Sequence, residues 1–85
     1  MVFKGNTSTT ASFTTPITGN SLFFSFNNVS GGDNTINLKI NEISVAKAIL
    51  SDGDTGYSSS VIRIEPNAEV LLEVTGLLDY YMSVE

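Results

Sequence analysis

Cysteine, histidine and tryptophan are all missing from this 85-residue chain. Without cysteine there is no disulfide and no thiolate nucleophile. With histidine gone too, the usual zinc ligands and the commonest general base are absent. Basic residues are scarce: four against nine acids, for a net charge of −5. Lys4, Lys39, Lys47 and Arg63 stand singly. They make no stripe for phosphates, which argues against nucleic acid as a partner. They make no basic patch for anionic lipid either. No run approaches 18 apolar residues, so no membrane-spanning helix is expected. The opening residues MVFKGN contain no apolar stretch of the kind a signal peptide needs, which points to synthesis in a cytoplasm. The sequons at Asn6 and Asn28 read as products of an Asn-, Ser- and Thr-rich composition.

The length is that of one domain. A chain this short buries about 60–65% of its unfolded surface, so its core is thin. Small domains usually add disulfides, a metal or a partner subunit. With the first two disfavoured, association with other chains is the expected staple, and a homo-oligomer follows from that.

Strand-like alternation dominates. Residues 22–29, LFFSFNNV, place Leu22, Phe24 and Phe26 on one face and Phe23 on the other. TINLKI (35–40) points Ile36, Leu38 and Ile40 inward, and Asn41-Glu42 then reads as a tight turn. The run 44–50 suits a short helix or a strand; its brevity and the preceding hairpin favour a strand. Residues 51–60, SDGDTGYSSS, read as a polar loop. VIRIE (61–65), EVLLEVT (69–75) and YYMSVE (80–85) follow with short turns between them and read as an antiparallel meander. Residues 1–20 are Ser- and Thr-rich, with Phe13 and Ile17 as the large apolar side chains of 5–21; they form either a flexible segment or an extended arm or edge strand. The chain is therefore read as all-β: a small antiparallel β-sandwich, immunoglobulin-like or jelly-roll-like, of about six to seven strands. The sandwich is expected to span 21–85, with 1–20 as the arm.

No catalytic constellation emerges. Glu69 and Glu73 share a strand face, but four positions put them roughly 13 Å apart, beyond the ~9.5 Å of an inverting glycosidase pair. Serines are plentiful, yet none sits in a nucleophile motif. Asp52-Gly53-Asp54 places two carboxylates beside glycines, a weak calcium signal that lacks the rest of an EF-hand. No phosphate-cradling loop occurs, and neither a cofactor nor a metal is expected. Two binding roles remain. A ligand site, for carbohydrate or a receptor, would use Tyr57 with Asp52 and Asp54; Tyr80 and Tyr81 point to opposite faces and cannot share a platform. A protein interface would use Phe13 and Ile17 of the arm with Phe23 and Leu71, apolar residues on the outer sides of their strands.

The segments LFFSFNNV, INLKINEI, SDGDTGYSSS, VIRIEPNAEVLLEVTG and YYMSVE together resemble small β-sandwich virion proteins of bacteriophages, of the capsid decoration (cement) or head-fibre and tail type. The resemblance is one of style and strand rhythm over about three quarters of the chain, and no family residue maps onto a position here. It implies a non-enzymatic structural protein located in the virion, homo-oligomeric, with other capsid or tail proteins as partners.

Overall fold

The computed structural model describes residues 1–15, 20–57 and 62–85, the side chain of Tyr57 excepted. Nine strands occur among them: β1 (Val2–Thr7), β2 (Thr10–Thr14), β3 (Ser21–Asn28), β4 (Asn34–Ile40), β5 (Ile43–Leu50), β6 (Thr55–Tyr57), β7 (Ile62–Arg63), β8 (Glu69–Val74) and β9 (Leu78–Val84). They make two antiparallel sheets. The first runs β1-β9-β3, with β6 and β7 sharing the far edge of β3; the second runs β2-β8-β4-β5. The chain is an all-β sandwich.

The inward sets are those the alternation marks. Leu22 and Phe26 of β3 and Leu78, Met82 and Val84 of β9 meet Ile36, Leu38 and Ile40 of β4 and Val70, Leu72 and Val74 of β8 in one buried cluster. Leu22, Leu38, Leu72, Leu78 and Met82 are fully enclosed. Each such side chain contributes about 1.5–3 kcal/mol by leaving water. Tyr80 packs against this core while Tyr81 is 46% exposed, so the adjacent tyrosines do divide between faces.

Two features differ from the sequence reading. The C-terminal strands form no meander: β7 joins the first sheet, β8 the second and β9 the first again. Alternation marks a strand but says nothing about which sheet takes it. Part of the 51–60 loop is strand, because β6 satisfies the free edge of β3 by backbone pairing from Ser25 to Asn27, and polar side chains do not prevent that. The Ser/Thr-rich start, read as a flexible segment or as an arm or edge strand, supplies two edge strands, one for each sheet: β1 pairs with β9 and β2 with β8. Phe3 on β1 and Phe13 on β2 stack across the sheets with centroids 3.9 Å apart.

One end of the sandwich is sealed by polar groups. Asn28 and Asn34 are 1% and 0% exposed, and buried amides at these positions are stable only if their bonds are made. Asn34 Oδ1 accepts from the Thr75 and Gly76 amides, and Asn34 Nδ2 donates to the Gly76 carbonyl. Gly76 is pressed against Ser30 here: a Cβ on Gly76 would lie 2.7 Å from the Ser30 Cβ. Gly32 in the neighbouring loop has open space around it. We therefore expect Gly76→Ala to lose about 1–3 kcal/mol in urea unfolding through overpacking, while Gly32→Ala stays within about 0.5 kcal/mol of the parent.

Candidate binding face

The outer side of the β2-β8-β4-β5 sheet carries the residues that alternation sends away from the core. These are Ser12 and Thr14 from β2, Glu69, Leu71 and Glu73 from β8, and Asn37 and Lys39 from β4. Register brings them together: Ser12 lies opposite Leu71, and Leu71 opposite Lys39. Two hollows of similar size open on this side. One, of about 660 Å³, is lined by Ser12, Thr14, Lys39, Glu42, Glu69 and Leu71 among others. The other, of about 650 Å³, is lined by Thr10, Thr35, Asn37, Lys47, Glu73 and Thr75 among others.

An ion pair joins them. Lys39 Nζ lies 2.8 Å from Glu73 Oε1, with both side chains partly exposed. Asn37 Nδ2 donates to the same carboxylate at 3.5 Å, and Ser44 Oγ donates to Asn37 Oδ1. Solvent screening leaves such a pair worth about 0–1 kcal/mol to stability. What it does is set a donor and an acceptor side by side between the two hollows.

The β4–β5 turn sets one end of the face. Asn41 and Glu42 both have positive φ, 50° and 68°, as a tight hairpin requires. The Asn41 amide donates to the Glu69 carbonyl, and Asn41 Oδ1 accepts from the Glu69 amide. Asparagine tolerates this conformation; for glutamate it costs roughly 1 kcal/mol, and glycine is the usual occupant. The hairpin thus holds a carboxylate at the hollow where glycine would be easier.

The other residues singled out from sequence are dispersed. Phe13 faces inward and is half-buried against Phe3. Phe23 lies half-buried on β3, on the side of the first sheet that faces away from the core, and Leu71 lies on the outer side of the second sheet. Phe13, Phe23 and Leu71 therefore form no common surface. Ile17 and the side chain of Tyr57 lie outside the described residues. Asp52 and Asp54 are both engaged by backbone amides: Asp52 Oδ1 accepts from the Gly31 amide of the β3–β4 loop and Asp54 Oδ2 from the Ser51 amide of its own turn. Among the described residues no three acids stand close enough to grip a metal ion. The sequence reading gives Lys39 and Glu42 no binding role and sets Glu69 and Glu73 aside as too far apart for a catalytic pair. The outward halves of TINLKI and EVLLEVT carried the signal, but their adjacency is a long-range pairing.

No protein-family profile matches the chain, and a search of curated proteins finds no match. Solved structures do. The CBM36-1 domain of a multidomain xylanase from the hindgut metagenome of Trinervitermes trinervoides aligns over 99% of this chain and 75% of its own length, with TM-score 0.66 and 17% identity. A carbohydrate-binding module CBM36, solved with calcium and xylotriose, aligns over 99% and 78%, with TM-score 0.64 and 12% identity. The fold is that of a CBM36-type β-sandwich. PirA also aligns, over 99% and 93%, at TM-score 0.53 and 9% identity. The likeness to CBM36 modules gives no support to the virion resemblance drawn from strand rhythm. Many β-sandwiches share that rhythm whatever they bind. The geometry of the β4–β5 turn yields its own expectation: Glu42→Gly should raise stability by about 0.5–1 kcal/mol in urea unfolding.

Proposed function

We propose that this chain is a non-catalytic carbohydrate-binding module that takes a neutral oligosaccharide along the outer side of the β2-β8-β4-β5 sheet. The observation that carries the reading is the pair of hollows meeting at the Lys39–Glu73 ion pair. Sugar hydroxyls donate and accept at once. They pair with carboxylates that only accept and ammonium groups that only donate. Hydroxyls and an amide fill the remaining places, and the Leu71 side chain offers an apolar surface to the C–H face of a sugar ring. Charges of both signs in a chain of net charge −5 favour an uncharged ligand over an acidic one. The xylotriose bound by a module of the same fold supports this choice of ligand class; that support is by analogy of fold.

A homo-oligomeric structural role is the second reading. It is favoured by the free edge strand β5, where Ile43 and Ile49 are 68% and 70% exposed. Long apolar edges invite pairing with another chain. Calorimetric titration with neutral xylo-, cello- and manno-oligosaccharides, run beside size-exclusion chromatography with light scattering, separates the two. The module reading expects binding to at least one series. It also expects Leu71→Asp to abolish that binding and Glu42→Gly to weaken it about tenfold, the loss of one hydrogen bond to a charged group. A stable oligomer that binds no member of the panel contradicts it in favour of the structural role.

A further inference from the structure

Three backbone carbonyls converge on one atom at the sealed end of the sandwich. Asn28 Nδ2 lies 2.8 Å from the Gly32 oxygen, 2.9 Å from the Leu50 oxygen and 2.8 Å from the Ser51 oxygen. An amide nitrogen carries two protons, so three acceptors share two donors. On its other side Asn28 Oδ1 accepts from the Ser30 amide at 3.0 Å, the Ser30 hydroxyl at 2.7 Å and Asn34 Nδ2 at 3.4 Å. The backbone of Asn28 is committed as well, its N–H donating to the Asp54 carbonyl and its C=O accepting from Gly53. One side chain thus ties the β3–β4 loop to the β5–β6 turn and, through Asn34, to the β8–β9 turn.

A cluster of carbonyl oxygens around a single buried point is an arrangement that suits a hard cation. Calcium takes six to eight oxygens at about 2.3–2.6 Å, and these three need close in by only a few tenths of an ångström. Here the point is filled by a neutral N–H donor. The neighbouring carboxylates of Asp52 and Asp54 are turned to backbone amides. These residues do not fit a bound calcium ion, although a module of this fold was solved with one.

We propose that Asn28 Nδ2 stands in for a cation, so that the loop end of this module closes without metal. The inference is independent of the glycan reading, because its readout is stability. Converting Asn28 to aspartate removes both donors and aims a carboxylate at three carbonyls. That arrangement requires a proton or a cation between them.

Thermal unfolding of the full chain tests this. The wild type should melt within about 1 °C of the same temperature in EDTA and in millimolar calcium. In EDTA at neutral pH, Asn28→Asp should melt more than about 8 °C lower, or remain unfolded. Millimolar calcium should restore most of the loss, or fold the variant outright. Acidification should also help, since the buried acid favours its protonated form, and that gain should vanish as pH rises. Destabilisation of the wild type by EDTA would overturn the proposal. So would an Asn28→Asp variant that responds to neither calcium nor acid, folded or not.

Discussion

Two sheets that carry no disulfide must be locked together by packing and by polar contacts that reach from one to the other. In this chain those polar contacts gather on two buried amides, Asn28 at the end of β3 and Asn34 at the start of β4. They sit where the sheets diverge into loops, and they gather the turns from both layers. Every bond they make replaces one to water, so the net gain per bond is modest, while leaving either buried amide without its partners would cost more. At another place along the sandwich the Phe3–Phe13 stack joins the edge strands β1 and β2 across the layers. Between these two fixtures the aliphatic core needs only the alternating strands to form.

That arrangement also frames the outer side of the second sheet. β4 and β8, the central strands of their sheet, send Leu38 and Leu72 into the core and Lys39 and Leu71 outward. The same backbone that is pinned by burial on one side presents donors and acceptors on the other. Glu42 at positive φ is consistent with this division of labour. Residues held in sparsely populated conformations persist when the surroundings over-determine them, and they gather at functional sites. Here the surroundings are the Asn41 bonds to Glu69.

Local pattern was legible in the sequence; long-range pairing was not. LFFSFNNV, TINLKI and EVLLEVT announced their inward faces, and the Asn41-Glu42 turn followed from two flanking apolar residues. The edge strands β1 and β2 were ambiguous because their anchors, Phe3 and Phe13, find each other only across the two sheets. β6 carries no alternation to read. The sheet switching of β7, β8 and β9 depends on which edges are free, a property of the assembled sandwich. The candidate site inherits this limit. Lys39, Leu71 and Ser12 come from three strands, and alternation within each strand says nothing of which strands lie side by side. Asn28 stands out in the sequence only as a sequon and Asn34 not at all, and nothing short of their burial shows what they hold.

The proposed site for a neutral oligosaccharide lies across β2, β8 and β4. The most direct measurement is an amide ¹H–¹⁵N spectrum of the labelled chain during titration with the tightest-binding oligosaccharide. The account predicts that the amides of Ser12, Lys39, Glu42, Leu71 and Glu73 move together with one dissociation constant, while those of Phe23 and Tyr81 stay in place. Shifts confined to the opposite sheet, or to the loops around Asn28, would contradict it.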